Sequence, residues 1–331
     1  MGRDAVNGLY GGKMLRRIWQ SVMIALARSG RLTGLVQGTS VLASLSRRYV
    51  AGGDAAAGMR RARDLAAADG IRASLFFLGE YVEDRGKIAE AVENKLAVAG
   101  ELAEAGLDIH VSVDPTQIGG SLDDALMDAN ADAIAARIGV LAGPPGGVHC
   151  MMIDMEDHSV VDKTIALHDR LQAAGYPVAL TLQAYLRRTE ADIARLVERP
   201  SRVRLVKGAF VAAGDIAFTS QAEIKANYRR LIDLMFSPAA RASGFYPIIA
   251  THDDRLHAHA RDVARRNGWP EGTYEFEMLM GVRGDVAGAL AAAGERVRLY
   301  VPFGRDWWPY AIRRIGENPR NALLLARSLV S

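Results

Sequence analysis

The sequence is poor in most features that would mark a membrane, disulfide-braced or nucleic-acid-binding protein. It carries one cysteine, Cys150, so no internal disulfide can brace the chain, and stability must rest on a buried core. A reducing compartment, the cytosol, is the default expectation. The longest apolar run near the N-terminus, Ser21 to Ala27, is bracketed by Arg16, Arg17 and Arg28 and is too short to span a bilayer. Charge of neither sign dominates: 41 Lys and Arg against 38 Asp and Glu leave a formal charge of +3, dispersed along the chain, which gives no basis for nucleic-acid binding. Proline is missing from the first 70 residues, and no G-x-G-x-x-G motif occurs anywhere, which argues against an open dinucleotide-binding sheet.

What is present is core material. Half of the 331 residues are apolar and 24% are charged, the profile of a globular chain. Residues 1–70, rich in Ala, Arg and Gly, read as an N-terminal helical arm. Within it, Met14 to Leu35 has the pattern of a basic amphipathic helix carrying Trp19. Such a helix packs on the rest of the protein or rests on an anionic membrane surface, so peripheral contact with the inner face of the membrane stays open.

From residue 71 the pattern changes to short apolar runs separated by longer amphipathic ones. The runs are Ile71 to Leu78, Leu107 to Val113, Val148 to Ile153, Pro177 to Leu182, Arg202 to Val206, Tyr246 to Ala250, Thr273 to Met278 and Val297 to Val301. Between them, segments such as Ile88 to Ala105 and Thr189 to Val197 place apolar residues at i, i+3, i+4 and i+7, as helices covering a sheet do. Eight strands alternating with helices predict an α/β fold of the (βα)8 TIM-barrel type over 71–331.

In such a barrel the site lies at the carboxyl ends of the strands, and polar residues collect there. Glu80 follows the first run, Asp114 the second, Asp154 and Glu156 the third, Gln183 the fourth. Arg204 and Lys207 belong to the fifth, Thr251, His252 and Asp253 to the sixth, Glu277 to the seventh and Tyr300 to the eighth. After the last run, Pro309 suits the first turn of a helix. On that helix Tyr310, Arg313, Arg314 and Glu317 fall at i, i+3, i+4 and i+7, which puts a phenol, two guanidinium groups and a carboxylate on one face. Paired guanidinium groups suit a carboxylate ligand; a salt-bridged surface helix fits the same spacing. In Arg204-Leu-Val-Lys-Gly-Ala-Phe210, alternation separates Arg204 from Lys207, and Gly208 permits close backbone approach. Two cations beside such a turn suit an anionic cofactor or a reduced flavin ring. A Schiff-base lyase using Lys207 is the alternative chemistry. Asp154, Glu156 and His158 do not form a convincing metal set, and none is expected.

The segments Leu78-Gly-Glu80, Ile153-Asp-Met-Glu156, Leu182-Gln-Ala-Tyr-Leu-Arg-Arg-Thr189, Arg204-Leu-Val-Lys-Gly-Ala209, Ala250-Thr-His-Asp253 and the Arg313-Arg314 helix together resemble the proline dehydrogenase family. The resemblance implies noncovalent FAD in the barrel mouth and oxidation of L-proline to pyrroline-5-carboxylate by hydride transfer to flavin N5. A quinone then accepts the electrons. It implies that Arg204 lies near N5, that Asp154 is the active-site aspartate, and that Met155, Gln183, Lys207, Gly208, Ala209, Thr251 and His252 contact FAD. Arg313 and Arg314 become the substrate-carboxylate clamp, organised by Glu80 and Glu317, with Tyr300 and Tyr310 beside the substrate ring.

One departure stands out. The family has a lysine at the end of strand two, where this chain has Asp114. Losing a charged hydrogen bond costs roughly 1.5 to 3 kcal/mol, and a carboxylate about 5 Å from that of the substrate adds on the order of 3 kcal/mol of repulsion at an effective dielectric near 20. Three placements avoid that penalty: Asp114 turned away by Pro115, Asp114 gripping a polar group of another substrate, or Asp114 paired with Arg313. A related flavoprotein with a different amine substrate, or without catalysis, is the alternative.

Overall fold

The computed structural model describes residues 47–79, 81–142, 147–210 and 212–317, without the side chains of residues 312, 313 and 315–317. The amphipathic segment Met14 to Leu35, with Trp19, lies outside the described residues, as do Glu80 and the side chains of Arg313 and Glu317.

Helix α1 (Ala55–Asp69) is followed by β1 (Arg72–Phe77), α2 (Arg85–Glu104), β2 (His110–Val113), α3 (Asp124–Leu141), β3 (Cys150–Ile153), α4 (Val161–Ala173), β4 (Val178–Gln183), α5 (Thr189–Leu196) and β5 (Arg202–Val206). Helices α6 (Gln221–Met235) and α7 (Pro238–Ser243) precede β6 (Tyr246–Ala250), α8 (Asp254–Arg266), β7 (Glu275–Leu279), α9 (Gly284–Ala292), β8 (Val297–Phe303) and α10 (Trp307–Glu317). The eight strands close in sequence order into one barrel, parallel throughout, with β1 sealed against β8 from Arg72↔Arg298 to Phe77↔Phe303. This is the expected (βα)8 architecture, and each expected strand is present to within three residues at either end.

Local chemistry explains where the helices begin. Asp54, Asp84, Asp123, Ser220 and Asp253 each accept a backbone N–H from the first turn of the following helix, satisfying donors that a helix start leaves unpaired. Helix α1 packs its buried Gly58, Met59 and Leu65 toward the closing strands; a Cβ at Gly58 would stand 3.1 Å from the Phe303 ring. No described helix is long and apolar enough to cross a membrane.

Between strands and helices the packing is apolar. Inside the barrel it is mixed. The lower interior holds Cys150, Met152, Ala179 and Ile248, with the Cys150 thiol pushed up to about 12 by burial, so it is a core residue and no nucleophile. Alongside it Arg298, fully buried, donates to Glu275 at 2.8 and 3.1 Å, to Asp108 at 2.7 Å and to the Ala73 carbonyl at 2.9 Å. This cluster joins β8, β7, β1 and the approach to β2 across the barrel floor. Removing one partner of a buried ion pair strands the other and costs about 3 to 5 kcal/mol. Arg298→Ala is therefore expected to lower the unfolding free energy by about that amount in chemical denaturation, whereas a loss under 1 kcal/mol would show that the cluster does not hold the barrel together.

Candidate active site

The pleat of each strand sends alternate side chains inward, and at the carboxyl ends these inward positions carry Ser112, Thr181, Arg204, Glu277 and Tyr300, with Asp154 just past β3. They meet around Arg204, which is 4% exposed. Its Nε donates to Thr181 Oγ1 at 3.0 Å, from the position registered opposite it on β4. Its Nη1 donates to Glu277 Oε1 at 2.8 Å, and its Nη2 to Asp154 Oδ1. Asp154 also accepts from Ser112 Oγ at 3.1 Å and from the Tyr300 hydroxyl at 2.9 Å. The Tyr300 ring centroid lies 5.4 Å from the Arg204 guanidinium carbon, within cation–π range. One guanidinium thus ties together side chains from β2, β4, β5, β7 and β8 and the residue after β3.

The electrostatics follow from burial. Glu277 is raised above the usual carboxylate range because it is desolvated, an effect that Arg204 partly reverses. The Tyr300 phenol is raised, first by burial and then by Asp114, which puts Asp114 (7% exposed) beside this cluster. Tyr310 also acts on Tyr300, so α10 reaches the same mouth. Tyr310 is buried, and Arg314 lies 5.4 Å over its ring, one helical turn away. Arg314 also depresses the His252 pKa. The described half of the expected face, Tyr310 and Arg314, therefore stands over the cup formed around Arg204.

A second group of expected residues lines the neighbouring sector. Gln183, 2% exposed, donates through Nε2 to the carbonyls of Met155 and Glu156 at 3.3 and 3.1 Å, while its Oε1 has no hydrogen-bond partner among the described residues. Glu156 accepts from the Thr116 N–H at 3.0 Å and from its hydroxyl, fixing the wide turn Thr116–Gly120 to the end of β3. Gly208 has φ +94°, and a Cβ there would lie 2.2 Å from the Tyr185 ring; only glycine fits both the conformation and the space. The backbone approach expected at Gly208 is thus made by Tyr185. Lys207, half-buried, lies 3.5 Å from Asp253, and burial lowers its pKa while Asp253 pulls it back up. With His252, Asp253, Asp254, Arg255 and Arg283 it lines a cleft beside the cup. Thr251 is buried and Ala209 exposed at the same strand ends. His110, Glu275 and Glu277 can bring ligand atoms within 4.8 Å of one another, and both acids of this group are already ion-paired, Glu277 with Arg204 and Glu275 with Arg298.

Comparison with known proteins decides the family. Residues 59–327 match the family model described as proline dehydrogenase. The chain belongs to the proline dehydrogenase family. Curated relatives include the proline dehydrogenase of Deinococcus radiodurans, 31% identical over 319 residues, with 96% of this chain and 99% of the relative covered. Another is proline dehydrogenase 1 of Bacillus subtilis, 30% identical over 285 residues, with 86% of this chain and 90% of the relative covered. Among solved structures, proline utilization A of Bdellovibrio bacteriovorus superposes with a TM-score of 0.74 at 21% identity over 91% of this chain. That of Corynebacterium freiburgense superposes with a TM-score of 0.69 at 23% identity over 95% of it. This chain spans only 36% and 34% of those larger proteins, so they establish the fold alone.

In and around this cluster, sequence reading missed Ser112 and Thr181, whose inward position is legible only once the register is known, and the buried Lys95 of α2. Lys95 had a signal. The buried face of α2 runs Ile88, Ala91, Val92, Lys95, Val98, Ala99 and Leu102, so a charge occupies a position where the helical period calls for an apolar residue.

His252 provides a pH test. Its Nε2 accepts the Leu279 N–H at 3.0 Å, and burial, then Arg314, lowers its pKa to about 4. A histidine depressed below its unfolded value near 6.5 contributes stability present above that value and lost as pH falls toward the folded pKa. The His252 ring resonance in NMR is therefore expected to titrate near pH 4, with stability falling between about pH 6.5 and 4; titration at 6 or above would show that the ring is solvated.

Proposed function

We propose that this chain is an FAD-dependent proline dehydrogenase: it oxidises the CH–NH bond of L-proline to the imine pyrroline-5-carboxylate and delivers the electrons to a quinone-type acceptor. The observation that carries this reading is the buried Arg204, held between Asp154 and Glu277 under Tyr300, in a chain whose family is proline dehydrogenase.

The residues present fit a flavin. The buried Gln183 Oε1 has no described partner, Arg204 presents a fixed positive charge, and the polar cleft of Lys207, His252, Arg255 and Arg283 adjoins them. That set suits a ring with alternating donors and acceptors joined to an anionic pyrophosphate tail. Met155, Gln183, Lys207, Gly208, Ala209, Thr251 and His252 would hold it, with Arg204 at the ring. When bound, FAD supplies the hydride acceptor at N5.

The chain's own residues do the rest. Arg204 cannot lose its proton, so its fixed charge would stabilise the negative charge that a ring bound beside it gains on taking up hydride, while the substrate amine gives up a proton as it becomes the imine. Asp154 and Glu277 fix the plane of that guanidinium, and Thr181 fixes its third edge. Tyr300, tied to Asp154, closes the cup and excludes water beside the substrate ring. Arg313 and Arg314 grip the substrate carboxylate in bidentate fashion, with Glu80 and Glu317 orienting them and Tyr310 packed beneath Arg314. The Schiff-base reading of Lys207 loses its support, because Asp253 holds its ammonium in an ion pair and the arginine helix would have no role. Reaching a lipid-soluble quinone would need contact with a membrane, and no helix among the described residues is long and apolar enough to cross one.

The test is direct. Purified protein is expected to be yellow, with flavin absorption that L-proline bleaches anaerobically and a quinone analogue restores. A colourless protein that takes up no FAD on reconstitution would falsify the proposal.

A further inference from the structure

Among the described residues, Lys95 is a buried ionisable group that the chemistry above does not use. It is fully buried on α2, among apolar neighbours, although a lysine ammonium carries three donors and ordinarily reaches water. Its placement is set by where β1 and β2 separate. Their pairing ends at Phe76↔Ser112; beyond it Leu78 turns to the Phe303 carbonyl at 2.8 Å and Asp114 leaves the sheet. The Lys95 side chain spans from the helix layer to this widening edge. There Nζ donates to the Ser112 carbonyl at 3.3 Å and lies 5.3 Å from the Phe76 ring centroid. On its other side Phe76 meets the Tyr300 ring at 5.2 Å. The ammonium is thus one aromatic ring removed from the cup around Arg204.

Two facts make this more than a packed lysine. Among the described residues the Ser112 carbonyl is its one hydrogen-bond acceptor, which leaves two N–H donors for an incoming group. Charge also bears on it: Asp114 acts on Tyr300 beside the Arg204 cluster, so a substrate carboxylate approaching along the end of β2 meets a like charge there, which a nearby ammonium offsets. Burial brings the Lys95 pKa down to about 7, and Asp114 draws it back up; a bound carboxylate would add to that upward pull.

We propose that Lys95, delivered to the mouth from a helix, neutralises Asp114 and offers its remaining donors to the carboxylate of the substrate, making it a specificity-determining residue of this site. The inference rests on the proline reading above for the identity of that carboxylate. It accounts for an aspartate standing at the end of β2 in a site that takes an amino acid: the acid and the helical lysine act as a unit, with the positive charge supplied one layer further out.

The experiment is a double-mutant cycle in the FAD-loaded protein, with Lys95→Met, Asp114→Asn and the combination. Methionine keeps the length and fills the apolar layer, and thermal melting verifies that each variant is folded. Lys95→Met is expected to raise the KM for L-proline at least tenfold while kcat changes less than threefold, and adding Asp114→Asn to it is expected to recover most of that loss. The melting temperatures, read without substrate, are expected to be non-additive, because removing the Lys95 ammonium changes the cost of the Asp114 charge. A KM within twofold of wild type in Lys95→Met, or additive effects of the two substitutions on both KM and melting temperature, overturns the inference. If proline fails to bleach the wild-type flavin, the proline reading falls by itself; the melting cycle then still decides whether Lys95 and Asp114 are a pair, and additivity there removes it.

Discussion

The structure depends on one buried guanidinium. Placing Arg204 inside the barrel removes it from water at a cost of several kcal/mol, and that cost is offset only because its planar fork meets Glu277, Asp154 and Thr181 at once. The side chains that satisfy it come from different strands, so the barrel must close in register for the charge to be tolerated. Conversely, the two carboxylates could not be buried together without it, and Glu277, already raised by desolvation, would be protonated. The mouth is therefore rigid for the same reason that it is charged.

A second layer below repeats the arrangement. Arg298 holds Glu275 and Asp108, two residues down β8 from Tyr300 and two down β7 from Glu277, so both layers use the strand period of two. Apolar packing dominates between strands and helices, where Val, Ile and Leu fill the interface, while the interior carries two layers of ion pairs beside a small apolar cluster. This division separates stability from chemistry: the outer layer forms the barrel, and the inner one sets the charge that a bound ring and substrate would meet. Lys95 links the two, since it belongs to the outer layer by position and to the inner one by charge.

The fold was legible because eight apolar runs and the amphipathic segments between them have different periods, and length alone separates one from the other. Strand ends were displaced by up to three residues, as at Leu107, because the approach to β2 is apolar without being paired. The site was legible where residues are rare in strands, as with Arg204, Glu277 and Asp154. It was obscure where ordinary residues do the positioning: Ser112 and Thr181 look like any strand residues until register aligns them with Arg204. Gly208 was legible as a place of close backbone approach, but that Tyr185 occupies the space a Cβ would fill was not. Asp114 was conspicuous as an anion in a cationic setting, yet its partner lay in the preceding helix, where charge is common and only the break in the apolar stripe sets Lys95 apart.

The central claim is that the positive charge of Arg204, held in place by Asp154 and Glu277, favours hydride transfer by stabilising the acceptor ring that would be bound beside it. Rapid mixing of FAD-loaded protein with L-proline under anaerobic conditions, comparing wild type with Arg204→Lys and Arg204→Met, measures it most directly. The account predicts that flavin bleaching slows by roughly 100-fold or more in Arg204→Met, with a smaller loss in Arg204→Lys, which keeps the charge without the fork. Bleaching at the wild-type rate in a folded, FAD-loaded Arg204→Met protein would contradict it.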